Sequence, residues 1–406
     1  METVLINAYA VSPTRGSEPG MGWNWIVHIA EFFEVHVITE EEFRQDIELA
    51  LRTVPNGDRM HFYYIPVSER VRQMCRNQGD WRFYIYYRFW QRKALRLARR
   101  ICQKQSVSII HQLNMVGFRE PGYLWKVPDV KFIWGPIGGM SDTPVAFFRD
   151  APVGVRLKIV LKNILNRIQT FHSYRVRRAI QRADAVICAT ADEQRIVRER
   201  YGKDAVIIPE TGFQAVTEAR RHSWDEGPFR LLWVGSFMWR KQLGLALRVL
   251  SRLSDIDVEL HVVGSGNLAE EADNHALSRR LGVEDRVVWH GQVPHEDVLA
   301  LMDEANLFLF TSVHEATSTV ILEAISRSLP IVCFDTCGFG PIVDTSIGRK
   351  IAVTTPAQAV EDFAARIRKL YGDPDLLRSL SDHCRGKGEE LSWKGKMDIL
   401  RQLYEI

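Results

Sequence analysis

No uncharged run in the 406 residues approaches the roughly 20 needed to span a bilayer, which excludes an integral helical membrane protein. A basic leader is also missing. METVLINAYAVSP is a short apolar run closed by a proline, and reads as a first strand instead of a signal peptide. Cysteine is sparse and scattered, at Cys75, Cys102, Cys188, Cys333, Cys337 and Cys384, with no C-x-x-C pair. That excludes a zinc ribbon or a disulfide framework and fits a reducing cytosol. There is no short-period repeat, no cluster of metal-ligand residues and no composition of a disordered chain.

What is present is globular and too long for one ordinary core, so two domains are expected. Net charge is only +3, but residues 1–205 carry 31 Lys/Arg against 21 Asp/Glu, and the remainder 22 against 29. The halves therefore face different partners. The first half alternates apolar strands with helical segments: strands at 4–10, 34–40, 60–66, 108–114, 131–136, 185–190 and 205–210. The second repeats the alternation, with strands at 230–236, 258–266, 286–293, 307–312 and 330–335. Continuous apolar strands between helices predict parallel sheets covered on both faces. The polar stretch 211–228 reads as a linker. The expected organisation is an α/β chain: an acceptor-binding domain over 1–213, a donor-binding domain over 214–385, and a terminal helix over 386–406 packing back on the first. Two doubly wound domains would then face a central cleft, with ligands beyond the carboxyl ends of the strands.

HEATSTVILEA (314–324) follows the strand LFLFTS and holds two glutamates, Glu315 and Glu323. A helix starting at Thr317 or Ser318 would point its free N–H groups and its dipole at a phosphate. Glu315 would stand just before it, and Glu323 within reach of a ribose. The bland alternative is a solvated acid before a cap and another on a helix surface. The loop of RLLWVGSFMWRKQ supplies Arg240 and Lys241, adjacent cations suited to a diphosphate, against the alternative of a solvated basic turn. After the first strand, SPTRGSEPGMGWNWI holds Gly16, Gly20 and Gly22, which allow close backbone approach as a helix begins near Met21.

Together these residues resemble the retaining group 1 glycosyltransferases of family 4, with the GT-B fold. The resemblance runs through most of the chain and includes HVVGSGN, WHGQVP and FIWGPIGG. It implies that Glu315 binds donor-sugar hydroxyls and that the amides of Ala316, Thr317, Ser318, Thr319 and Val320 hold sugar and phosphate. Glu323 would hold the ribose, and Arg240 and Lys241 the diphosphate. Gly20, Met21, Gly235, Ser236 and Val293 complete the implied donor site. The chain departs from the family's Gly-Phe-Gly with Ala316, Thr317, Ser318, which bears on sugar identity. A sugar-contacting histidine falls to His111, or its neighbour Asn114; a packed strand-end histidine is the alternative reading of His111. The implied chemistry retains the anomeric configuration, without cofactor or metal, with the departing diphosphate stabilised electrostatically.

Two look-alikes fall away. GSGNLA begins like a dinucleotide fingerprint, but the next strand ends in no acid; SDID precedes a strand instead of ending one. Residues 69–105 hold eleven Lys/Arg against two acids, with seven aromatics between Trp81 and Trp90; residues 153–182 hold eight and none. Basic helices with interleaved aromatics suit an anionic membrane surface, the alternative being solvated helices. No nucleic-acid-binding motif is present, so nucleic acid is not an expected partner. The expected function is transfer from a nucleotide sugar to a glycan or lipid-linked acceptor, such as an envelope polysaccharide or glycolipid, at the cytoplasmic membrane face. The rivals are a sugar-nucleotide epimerase of GT-B type and a non-catalytic membrane-associated scaffold.

Overall fold

The structure is a computed structural model that describes residues 2–77, 80–149, 151–213, 227–315 and 318–405. It divides into two units. The first comprises Met1–Ser141, Asn166–Glu210 and Met397–Ile406; the second comprises Asp142–Leu165 and Thr211–Lys396.

The first unit carries β1 (Thr3–Ala8), β2 (Glu34–Glu40), β3 (Met60–Ile65), β4 (Val107–Asn114), β5 (Lys131–Ile137), β6 (Ala185–Cys188) and β7 (Val206–Ile207). They form one parallel sheet in the order β3-β2-β1-β4-β5-β6-β7. Residues Val4 to Ala8 of β1 are all buried. That burial follows from helices on both faces, and explains why these strands read as unbroken apolar runs.

The second unit carries β8 (Phe229–Val234), β9 (Val258–Val263), β10 (Val287–Gly291), β11 (Leu307–Phe310), β12 (Ile331–Phe334) and β13 (Gly348–Ile351). Their order is β10-β9-β8-β11-β12-β13, again parallel. β13 escaped the sequence reading because GRKI offers only one large apolar side chain over four residues.

Two boundaries differ from the expected domain map. Residues 142–165, expected in the first domain, cluster with the second unit, and Phe147 packs edge-on against Phe334 there, with ring centroids 5.2 Å apart. The expected terminal helix is two helices, Pro374–Leu391 and Trp393–Glu405, with a break at Ser392. Only its last residues, from Met397, belong to the first unit. Most of the expected linker, residues 214–226, lies outside the described residues.

Candidate functional site

Strand order in the second sheet reverses between β8 and β11, which are hydrogen-bonded neighbours with Leu307 opposite Leu231. Such a reversal opens a crevice at the carboxyl ends of the two strands. The loops leaving those ends are stitched together. After β8 the chain makes a single tight turn at Trp239–Lys241. After β11, the Thr311 hydroxyl donates to the Lys241 carbonyl at 2.8 Å and the Val313 N–H to the Arg240 carbonyl at 2.9 Å. Trp233, at the end of β8, donates its indole N–H to Thr311 at 3.0 Å.

This stitching brings Glu315 onto the two cations. Lys241 Nζ is 2.7 Å from Glu315 Oε1, and Arg240 Nη1 pairs with Oε2. The Ser312 hydroxyl donates to Oε1 at 2.7 Å, and the Glu315 N–H points at Cys337 Sγ at 3.3 Å. The carboxylate is mostly buried, at 10% exposure. Burial pushes its pKa up, but the charges of Lys241 and Arg240 and the hydrogen bonds outweigh it, so the pKa lies below its ordinary value. Glu315 is thus a fixed anion between two cations. Ser312 and Cys337 were missed from the sequence, although a hydroxyl ending an apolar strand was a readable signal.

The helix after Glu315 runs Thr319–Ser326, with Ser318 at its N-cap making no side-chain cap bond. Its first-turn N–H groups are therefore not capped by that residue. Ser318 is buried, Thr319 exposed and Val320 partly buried; Ala316 and Thr317 lie outside the described residues. Glu323, in the helix's second turn, meets His295 Nε2 at 3.2 Å. His295 opens the helix His295–Glu304 just after the partly buried Val293. Ser236 is exposed. Gly264 is required by space: a Cβ there would sit 2.0 Å from the Gly235 carbonyl oxygen, whereas a Cβ on Gly235 itself would meet nothing nearer than the Trp233 ring at 3.4 Å. The loop after β9 can approach the loop after β8 only because Gly264 lacks a side chain.

In the first unit the helix expected near Met21 starts four residues earlier, spanning Ser17–Ile29. Gly20 lies inside its opening turn, and the Met21 side chain is buried. Gly20 and Gly22 both need glycine, since a Cβ would meet the Arg15 carbonyl oxygen at 2.5 Å in the first case and the Ala10 carbonyl oxygen at 2.5 Å in the second. His111 is fully buried in β4. Its Nδ1 is 2.6 Å from the Tyr404 hydroxyl and its Nε2 2.7 Å from the Gly135 carbonyl. Both nitrogens are used, so His111 is a packed histidine and its assignment to the sugar is corrected. Burial lowers its pKa to about 4. Asn114 is likewise turned inward, donating to the Ala10 carbonyl at 2.7 Å.

The basic aromatic segment forms the helices Glu69–Arg76 and Phe83–Lys104. Trp81 is 69% exposed but Trp90 only 2%, its indole N–H donating to the Ile65 carbonyl at 3.1 Å. Trp90 belongs to the core, because it shares the inward face with Phe83, Tyr87, Ala94, Ala98 and Ile101. The second basic segment begins with the helix Val153–His172. Its Val153, Leu157, Leu161, Ile164 and Ile168 are all exposed along one stripe at helical spacing. Among the described residues, no helix is long and apolar enough to cross a membrane, and no group of three or more His, Cys, Asp or Glu could hold a metal ion.

Residues 216–387 match the family model described as glycosyl transferases group 1. The lipopolysaccharide 1,6-galactosyltransferase of Salmonella typhimurium is 32% identical over 114 residues, 28% of this chain and 31% of that protein. The chain covers less than two thirds of the length of the curated relatives it matches. Among solved structures, the lipopolysaccharide outer core galactosyltransferase WaaB, in its apo form, superposes with a TM-score of 0.66 at 15% identity over 98% of each chain. The Anabaena protein HepE in complex with UDP gives 0.63 at 13% identity over 100% of both chains. These likenesses show the fold: GT-B, with two Rossmann-like domains.

Proposed function

We propose that this protein is a retaining, metal-independent glycosyltransferase of family 4 that moves a sugar from a nucleotide-diphosphate donor to a glycan or lipid-linked acceptor. The observation that carries the reading is the Glu315 carboxylate held between Arg240 and Lys241 where strand order reverses. The group 1 match over the same residues, and a solved GT-B neighbour that holds UDP, support it.

The parts divide the work. Two cations against one carboxylate leave one positive charge beside the N-terminus of the helix Thr319–Ser326. That charge and the N-terminus of the helix stabilise negative charge growing on the departing diphosphate. Glu315, kept ionised by its neighbours, accepts hydrogen bonds from sugar hydroxyls, and Glu323 does the same for the ribose. Glu315 is not assigned as a nucleophile, because its ion pairs with Lys241 and Arg240 lower its basicity. A phosphate oxygen of the donor takes the acceptor's proton.

The exposed basic and apolar surfaces support a lipid-linked acceptor at the inner face of the membrane. The test is a thermal-shift panel of UDP, GDP and ADP sugars, followed by incubation of the best binder with and without lipid-linked acceptor, in EDTA. Acceptor-dependent transfer with retained configuration is expected. Conversion of the donor without acceptor indicates an epimerase, binding without turnover a scaffold, and activity restored only by manganese contradicts metal independence.

A further inference from the structure

In the first unit, an open cavity of about 670 Å³ lies where the start of the helix Phe83–Lys104 meets the loop after β4 and the start of the helix Tyr174–Arg182. Its polar side is arginine-rich. Buried Glu120 accepts from Arg88 Nε at 3.0 Å and Nη2 at 2.7 Å, and from Arg175 Nη2 at 2.5 Å. Glu120 is the one carboxylate in the lining among the described residues. Arg119 is partly buried beside it and has no carboxylate partner among the described residues. It stacks on Phe118, 4.8 Å from the ring centroid, and donates to the Gln169 side chain. Three guanidinium groups therefore face one acid. Arg175 Nε is buried and makes no hydrogen bond. Burial holds the Arg119 pKa below its usual value, the sign of a cation that has lost water without gaining an anion.

The rest of the lining is largely aromatic and open to solvent. Trp81, Tyr84, Ile85 and Tyr174 all line the cavity and are all exposed. An excess of arginine forks fits the oxygens of a phosphate, which the planar guanidinium binds in pairs. The aromatic wall has no use for a free phosphate, but suits the first methylenes of an attached chain. We propose that this cavity binds the phosphate-bearing head of an anionic lipid, with Arg119, Arg88 and Arg175 on the phosphate and Trp81, Tyr84 and Tyr174 along the start of its chain. This deepens the lipid-linked reading by giving the lipid a place in the chain.

The experiment is calorimetric titration of the full chain with short-chain phosphatidic acid kept below its micelle concentration, without nucleotide sugar. Glycerol 3-phosphate is the arm without an apolar chain. The lipid is expected to bind about tenfold or more tighter than glycerol 3-phosphate, and Arg119→Gln to weaken lipid binding by about tenfold. Trp81→Gln should reduce binding of the lipid but not of glycerol 3-phosphate. Because Trp81 lies at the surface, that variant carries the test if Arg119→Gln does not fold. Arg99→Gln with Arg100→Gln, roughly 16 Å further along the same helix, should leave binding unchanged. Equal binding of glycerol 3-phosphate and lipid overturns the lipid assignment. So does an affinity that responds to Arg99 and Arg100 as much as to Arg119, or one that ignores Arg119 and Trp81. Since no donor is present, lipid binding by a chain that transfers no sugar leaves this site standing and removes only the transferase reading.

Discussion

Lys241 Nζ lies 2.7 Å from Glu315 Oε1, and the Ser312 hydroxyl donates to the same oxygen at the same distance. Arg240 takes the other oxygen. A mostly buried carboxylate with both oxygens occupied is a rigid fixture. It orients the two side chains that the proposed function sets against the donor's diphosphate.

On the proposed function, removing either cation acts on chemistry before it acts on fold. Arg240→Ala and Lys241→Ala are each expected to lower turnover by about two to three orders of magnitude, as for other stabilisers of transition-state charge. Each variant keeps one cation on Glu315, so circular dichroism should show a folded chain. Steady-state rates near wild type in both would remove these residues from the mechanism.

The same fixture makes a pH prediction. The folded pKa of Glu315 is depressed below 4.5, by Lys241 and Arg240 against the opposing effect of burial. A depressed carboxylate contributes stability that is present above its unfolded pKa and lost as pH falls through the folded one. The gap in Tm between wild type and Glu315→Gln should therefore hold steady from pH 7 to about 5 and shrink below about 4.5. A gap that already closes at pH 6 would mean that the carboxylate is not held by its cations.

His111 titrates in the opposite chemical sense. Its folded pKa is about 4, lowered by burial against the effect of the Gly135 carbonyl, while in the unfolded chain it lies near 6.5. The unfolded state then binds more protons between those values, so stability falls as pH drops from about 6.5 to 4. The contribution is about 2–3 kcal/mol between pH 7 and 4.5, from roughly two pKa units at 1.36 kcal/mol each. Denaturation at the two pH values should show a larger loss in wild type than in His111→Gln. Parallel losses would show that His111 is not the group responsible.

Much of this was readable because the signals are local. Parallel strands buried on both faces announce themselves as apolar runs, and Arg240, Lys241 and Glu315 each follow such a run directly. The distal signals were not readable. His111 looks the same in sequence whether its nitrogens are free or bound, and its partner Tyr404 is 293 residues away. Cys337 reaches Glu315 only because β12 lies beside β11. Trp90 could have been assigned to the core, since positions 83, 87, 90, 94, 98 and 101 follow one helical face. Counting aromatics as a block concealed that period.

The membrane prediction changes accordingly. On the helix Phe83–Lys104, Arg92, Lys93, Arg96, Arg99 and Arg100 are exposed, and none pairs with a carboxylate among the described residues. Each contributes about 1 kcal/mol near an anionic surface, so even a few engaged residues give measurable binding. That part is screened and should weaken as salt rises. The apolar part rests on exposed Trp81, Tyr84, Ile85, Tyr86 and Phe89, Trp90 being buried; it should persist in high salt. Sedimentation with phosphatidylglycerol vesicles should show wild type bound at low salt and partly released at high salt. With all five cations changed to Gln, binding should be weaker at low salt and nearly insensitive to salt. Changing Trp81 and Phe89 to Ser should instead remove the salt-resistant fraction, because both side chains are already exposed and their loss leaves the core intact. Equal binding by wild type and the five-Gln variant, or no binding at any salt, would leave the helix a solvated face and the acceptor a soluble glycan.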